Sequence, residues 1–381
     1  MHLGFLTPEY PHLRTNAAAG IGTSIKNMAE SLTLKGIKVS IFIYGQKEDE
    51  VFEENGIKFH LVKQRRFKLL GWYLYRKFLQ NYLNKFILKE QIDAIEAPDW
   101  TGITAFMKIR CPLVIRMNGS DAYFCHLESR QQKRKNFWFE KNALLGANHL
   151  LSVSKFTADK TKEIFGLKKE IEVIPNSVNT TIFKPLPGRI ESNMILYFGS
   201  IIRKKGVLEL AAIFNIVHKN IPKAELVFAG KDVIDKKTSL STKEIIEEKL
   251  SPEARKKVTF LNEIPYEEVL SLVNRAGVVV LPSFAEALPM TWLEAMALEK
   301  TLVSSDIGWA KEVMIHGETG FAVDPKQHKV YAEKIVEVLK NDELRLTMGK
   351  AARKRVNEIF SAEVVASQNI QFYRRILGYG S

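Results

Sequence analysis

The chain has 381 residues, 46% hydrophobic and 26% charged. That is too long for one ordinary core, fits two well-packed globular domains, and leaves no low-complexity tract to suggest disorder. The net charge of +13 calls for an anionic partner (nucleic acid, an anionic membrane or a phosphorylated substrate) without choosing among them, while two cysteines, Cys111 and Cys125, are too few for a disulfide framework and fit a reducing compartment as inert structural residues.

The first element is an apolar strand over residues 2–6. It does not read as a secretory leader, because residues 1–6 lack a charged n-region and run straight into Thr7, Pro8 and Glu9. A long loop over 7–19 leads to the turn Gly20-Ile21-Gly22-Thr23. A helix follows, with Ile25, Met28, Ala29 and Leu32 at i, i+3, i+4 and i+7. Gly36 stops that helix, and 38–43 reads as the second strand. Further short strands are expected at 94–96, 113–117, 150–153 and 172–174, with helical patterns between them. Such alternation gives a mostly parallel, doubly wound sheet.

Residues 183–188 (Phe-Lys-Pro-Leu-Pro-Gly) form the best boundary in the chain. The pattern then restarts, with strands at 194–198, 225–229, 258–261, 278–281 and 301–304 and a helix over 207–218. The tail is helical over 330–340, 342–360 and 364–377. The most apolar stretch, 278–298, is interrupted by Pro282, Glu286, Pro289 and Glu294, so it reads as strand, loop and helix and not as a membrane span. The ligand of a doubly wound sheet sits beyond the carboxyl ends of the strands, near helix N-termini, and two such domains facing each other make a cleft.

Four junctions are candidates for chemistry. After the strand at 278–281 a loop holds Glu286, Pro289 suits a first helical turn, and Glu294 falls about one turn into the helix. The two carboxylates can accept from sugar and ribose hydroxyls, and the free amides of the turn can meet a phosphate. Alternatively Glu294 only complements the helix dipole and Glu286 is a surface loop residue. Gly199-Ser200-Ile201-Ile202-Arg203-Lys204-Lys205-Gly206 puts three cations and two glycines at one strand–helix junction, a seat for a diphosphate or simply an exposed basic loop. Gly20-Ile21-Gly22 could offer amides to the same diphosphate, but the preceding loop is too long for a dinucleotide fingerprint. Arg116-Met117-Asn118-Gly119-Ser120-Asp121 follows a strand and either lines the cleft or forms an Asx turn and helix cap. No Cys/His cluster has metal-ligand spacing, and neither a Walker-type loop nor a local nucleophile–His arrangement is present.

In combination these residues resemble the retaining glycosyltransferase family 4, of GT-B fold, over almost the whole chain. The matches are Glu286-x7-Glu294 with Ala295-Met296-Ala297 after Leu281-Pro282-Ser283, Val173-Ile174-Pro175-Asn176-Ser177-Val178-Asn179, Lys205-Gly206 after Tyr197-Phe198-Gly199, and Glu312-Val313 before Gly317-Glu318-Thr319-Gly320-Phe321. The resemblance implies an α/β architecture of two Rossmann-like, doubly wound parallel-sheet domains facing a cleft, with the last helix crossing back. The acceptor domain would be 1–186 with 362–381 and the donor domain 187–361.

It also implies roles. Glu286 would hold the donor sugar's hydroxyls, Glu294 the ribose and Lys205 the diphosphate. Gly199, Ser200, Leu288, Pro289, Met290 and, from the other domain, Gly22 would line the donor, with Ile264 against the base. Asn118, Gly119, Asp121 and Glu9 would face the acceptor. Where many members have Arg this chain has Ser200, and Arg203 is the candidate to replace that cation; where many have His it has Asn118, which cannot act as a base. Those departures keep a catalytically weak homologue open.

The reaction implied is transfer of a hexosyl group from a nucleoside diphosphate sugar to an acceptor hydroxyl with retention. It would need no metal and no cofactor, in the synthesis of a cell-surface polysaccharide, lipopolysaccharide or glycolipid. The acceptor would be a sugar, a lipid-linked or a phosphorylated molecule, and the setting cytoplasmic or the inner face of the cytoplasmic membrane. A GT-B relative of other chemistry, an epimerase or a phosphorylase, is the alternative; a nucleic-acid-binding role finds no recognition motif. Two basic–aromatic stretches, 63–89 and 130–141, are either a face for an anionic membrane or acceptor, or helices with an apolar stripe and a solvated basic side.

Overall fold

The computed structural model describes residues 1–16 and 20–379; the end of the long loop expected over 7–19 lies outside them. It divides into two compact units, Met1–Ser177 with Ala362–Ser381, and Val178–Ser361. The Pro-rich segment that marked the boundary in the sequence is not free chain. Val178 donates its amide to Phe360 O (2.9 Å), Arg353 donates to Phe183 O (3.0 Å) and Leu186 N donates to Asn274 Oδ1 (2.9 Å). Residues 178–186 are thereby counted with the second unit.

The first unit runs β1 (His2–Thr7), α1 (Gly20–Leu34), β2 (Lys38–Gln46), β3 (Glu50–Glu54), β4 (Ile57–Lys63), α2 (Gly71–Glu90), β5 (Ala94–Pro98), β6 (Leu113–Met117), α3 (Asp121–Leu127), α4 (Arg134–Gly146), β7 (His149–Ser152), α5 (Lys155–Phe165) and β8 (Ile171–Val173). The sheet order is β3-β4-β2-β1-β5-β6-β7-β8, parallel except for the β3–β4 hairpin at one edge. That hairpin turns on Asn55-Gly56, both at positive φ (51° and 74°), the backbone that a two-residue turn between twisted strands requires. Its interior strands are buried on both faces, as a covered parallel sheet requires.

The second unit runs β9 (Glu191–Phe198), α6 (Val207–Asn220), β10 (Glu225–Ala229), α7 (Thr242–Lys249), α8 (Pro252–Arg255), β11 (Val258–Leu261), α9 (Tyr266–Arg275), β12 (Ala276–Leu281), α10 (Met290–Ala297), β13 (Leu302–Ser304), α11 (Ala310–Val313), β14 (Gly320–Ala322), α12 (His328–Lys340) and α13 (Asp342–Arg355). Its sheet is wholly parallel in the order β11-β10-β9-β12-β13-β14. The last helix, α14 (Ala362–Ile376), belongs to the first unit, where Val365, Phe372 and Tyr373 enter the core under α1.

A buried polar network fixes α14. Arg116, at 3% exposure, donates Nε to Glu96 Oε1 (2.7 Å) and Nη2 to Glu96 Oε2 (3.0 Å) and to Asn369 Oδ1 (2.6 Å), while Nη1 donates to Ile174 O (3.2 Å). Tyr373 donates its hydroxyl to Glu96, and Asn369 donates Nδ2 to Val365 O (2.8 Å). A charge so far from water is tolerated only because its donors are met. Glu96→Ala should therefore cost about 3–5 kcal/mol, since it strands the guanidinium. Replacing Glu96 and Arg116 together by apolar residues of similar volume should cost much less, and denaturant unfolding of the two variants checks the difference.

Candidate functional site

In the second sheet the chain winds outward from β9 through β10 to β11, then returns to start again beside β9 with β12 and continues to β14. The loops leaving the carboxyl ends of β9 and β12 depart in opposite directions, and a crevice opens at such a switch point. Those two loops are the segments singled out above: 199–206 after β9 and 282–289 after β12.

The two loops are locked together by backbone. Gly206 sits at φ +71°, and a Cβ there would stand 1.9 Å from Pro282 O. Phe284 donates its amide to Lys204 O at 2.9 Å. From the far side, Ser304 and Ser305 donate their hydroxyls to Leu281 O and Ser283 O. Gly199 sits at φ +124° and donates its amide to Ala229 O (2.9 Å); Gly230 approaches so closely that its Cβ would stand 2.2 Å from Gly199 O. Tyr197, fully buried, donates its hydroxyl to Ser200 O at 2.7 Å. Burial holds that phenol well above its ordinary range, and the charge of Glu286 adds to the effect.

This framework brings Lys205 and Glu286 into a direct ion pair, with side chains 22% and 11% exposed. Arg203 has another use: it is bidentate to the buried Asp235, Nε to Oδ1 and Nη2 to Oδ2, both 2.8 Å. The fork holds the Asp235 carboxyl well below the usual carboxylate range, chiefly through those hydrogen bonds, with Thr238 assisting. Arg203 therefore braces the loop that follows β10 and is not an uncommitted replacement for the cation missing at Ser200. Pro289 is the N-cap of α10 without a side-chain cap, and Leu288 and Pro289 are buried beside the half-exposed Met290. Glu294 lies buried in the second turn of α10. Ile264 follows β11, two strands away from β9 on the same carboxyl edge.

At the carboxyl edge of the first sheet the picture differs from the sequence reading in two places. Gly22 is not in a turn but in the first turns of α1, and its amide is taken by Glu9 Oε1 at 2.9 Å. The amide that Gly22 was expected to offer a diphosphate is thus taken by Glu9, the residue expected to face the acceptor, as a carboxylate at a helix N-terminus does. Asp121 pairs with Arg130 (2.9 Å) and accepts from Asn136 (3.4 Å), while Ser120 caps α3 by accepting from Tyr123 N (3.2 Å). The helix-cap alternative thus describes Ser120 and Asp121. Asn118 is half-buried, and its amide donates to Asp99 Oδ1 at 3.0 Å beside Gly119, which sits at φ +92°.

Sequence reasoning missed Asp99 and Asp235, and it quoted Tyr197 without a role. A carboxylate directly after a β5 strand ending in Pro98 was a readable signal; Asp235 had none, because its partner stands 32 positions earlier. Asp99 is 1% exposed, and burial raises its pKa to about 8, with Glu140 adding and the amides of Asn118 and Gly119 opposing. Among the described residues no group of three or more His, Cys, Asp or Glu side chains converges as metal ligands do.

Two expectations follow. Gly206→Ala should lose about 2–4 kcal/mol, from a left-handed alanine together with the collision with Pro282, read as a fall in the unfolding midpoint. The raised Asp99 pKa means that the folded state binds the proton more tightly. Its contribution is full below the unfolded value near ~4 and is lost as pH climbs to about 8. Asp99→Asn should remove that slope, so that unfolding free energies of variant and parent converge at acid pH and diverge in the variant's favour at alkaline pH.

Comparison with known proteins gives the following. Residues 18–182 match the family described as Glycosyltransferase Family 4, and residues 178–355 match Glycosyl transferases group 1. The alpha-maltose-1-phosphate synthase of Mycolicibacterium smegmatis is 29% identical over 266 residues, 63% of this chain and 66% of that protein. The solved sucrose-phosphate synthase of Thermosynechococcus elongatus superposes with a TM-score of 0.82 over 100% of both chains at 20% identity. HepE of Anabaena, solved in complex with UDP and glucose, superposes with a TM-score of 0.75 over 98% of this chain and 100% of its own at 16% identity.

Proposed function

Because the chain belongs to the group 1 glycosyltransferases of family 4, with the GT-B fold, we propose that it moves a hexosyl group from a nucleoside diphosphate sugar to an acceptor hydroxyl with retention and without a metal. The observation that carries this reading is the Lys205–Glu286 pair at the switch point of the second sheet. In this reading Glu286 accepts from the donor sugar's hydroxyls, while its ion-pair partner Lys205 comes from the loop after β9 and α10 starts at the end of the loop that carries Glu286. A cation and a helix N-terminus at one crevice are what a diphosphate needs. The relative solved with UDP and glucose supports a donor of that class.

In the proposed step the bond from the anomeric carbon to the diphosphate oxygen breaks, and the acceptor oxygen bonds to that carbon on the same face. The acceptor's proton passes to the departing oxygen. Lys205 and the α10 amides stabilise the charge that grows on the diphosphate. Glu294, buried one turn into α10, is the proposed ribose contact, with Gly199, Ser200, Leu288, Pro289 and Met290 lining the donor and Ile264 toward the base. On the acceptor side the reading keeps Asn118 and Gly119, held by Asp99. A sugar, lipid-linked or phosphorylated acceptor fits a role in cell-surface glycan or glycolipid synthesis on the cytoplasmic side of a membrane.

A thermal-shift screen of UDP, GDP, ADP and their sugars should find one series that stabilises the protein, by about 2.7 kcal/mol at a hundredfold excess over Kd. With that donor, Lys205→Ala should lower kcat by about 10²–10³, Glu286→Ala should abolish transfer, and a chelator should change neither transfer nor donor hydrolysis. If no nucleotide shifts the midpoint and Glu286→Ala transfers as the parent does, the reading fails.

A further inference from the structure

Residues 63–89 contain eight Lys and Arg and no Asp or Glu, and residues 129–139 contain four and none. The fold brings the two stretches together. The Trp72 ring lies edge-on to Trp138 with centroids 5.8 Å apart, and Phe106 packs on Trp138 at 4.7 Å. Beneath them the buried Arg76 donates to Trp72 O (3.0 Å) and Gly102 O (3.1 Å) and lies 4.0 Å over the Phe139 ring. The starts of α2 and α4 are therefore fixed side by side on one platform.

What that platform presents is unusual for a solvated surface. Leu69 is 80% exposed, Leu70 65% and Trp138 46%, with Tyr73 and Leu74 also exposed beside them. Leu70 has φ 48°, a left-handed backbone that a leucine adopts only at a cost. Around this apolar tip stand the exposed cations Arg66, Lys68, Lys133, Arg134 and Lys135. Separate protruding apolar side chains within a cationic ring do not match the flat, charge-depleted centre of a protein interface. A second copy would set like charge against like charge. Nucleic acid would use the cations and leave the leucines in water.

We propose that this knuckle, the 64–74 turn with the start of α4, docks on an anionic bilayer surface, Leu69, Leu70 and Trp138 entering the interface and the surrounding Lys and Arg meeting lipid phosphates. The 64–70 turn leaves the carboxyl end of β4, the edge that also carries Asp99 and Asn118. Docking therefore places the proposed acceptor edge near the head groups. That the acceptor is itself lipid-borne rests on the glycosyl-transfer reading; the docking does not. Among the described residues no helix is long and apolar enough to cross a membrane.

The test is flotation of the full chain with vesicles of phosphatidylcholine alone, or with about a third phosphatidylglycerol, at low ionic strength. The chain should float with the anionic vesicles and at least about tenfold less with the neutral ones. Leu69→Ser with Leu70→Ser should cut partitioning about tenfold or more while leaving the unfolding midpoint and the nucleotide-induced thermal shift unchanged. Arg66→Glu with Lys68→Glu should abolish the preference for anionic lipid. No flotation with anionic vesicles overturns the proposal, and so does undiminished flotation of the leucine variant. A dimer in sedimentation velocity, or a complex with duplex DNA, that the leucine substitutions dissolve assigns the face to another occupant and overturns it equally.

Discussion

The carbonyl of Pro282 lies where any side chain on residue 206 would have to stand, and the candidate site depends on that contact. It forces the loops after β9 and β12 into backbone contact. Once they touch, Phe284 can reach Lys204 O, and Lys205 can reach Glu286. Ser304, which ends β13, and Ser305 just after it hold the second loop from behind. A lysine and a glutamate on separate surface loops would spend side-chain entropy to meet and gain little. Here the backbone has already been ordered by two glycines and a buried sheet, so the pair forms where a ligand would arrive.

The basic residues divide by how they are anchored. Arg116 and Arg203 are matched to carboxylates in forked geometry and act as fixed parts of the scaffold. Lys205 has a flexible stem and, among the described residues, pairs with the Glu286 carboxylate; in the proposed reaction it exchanges that partner for the diphosphate. The remaining cations lie largely on exposed faces, where they set the field and not the fold.

Much of the architecture was legible because parallel strands buried on both faces read as short apolar runs, and β5, β6, β9, β10 and β12 fall within a few residues of where those runs stand. The β3–β4 hairpin was overlooked although Asn55-Gly56 announces it, because Glu50, Glu53 and Glu54 dilute the strand signal. The Pro-rich segment at 183–188 looked like a boundary by composition, yet Arg353 and Asn274 bind it, and neither partner is visible locally. The loops after β9 and β12 could be singled out because cations, carboxylates and glycines cluster at those two strand–helix junctions. What composition could not show is who pairs with whom: that Glu9 occupies the Gly22 amide, that Asp235 occupies Arg203, and that Asp99 lies under Asn118.

The network around Arg116 bears on the order in which the protein can be made. The first unit is discontinuous, and Asn369 and Tyr373, which complete the coordination of Arg116 and Glu96, come from its second segment. The second unit lies wholly between the two segments. During synthesis the second unit can close while the first still waits with a charged pair short of its partners, the reverse of the usual N-to-C order of domain folding. A ribosome that stops before residue 369 releases a chain whose finished half is the one it made later.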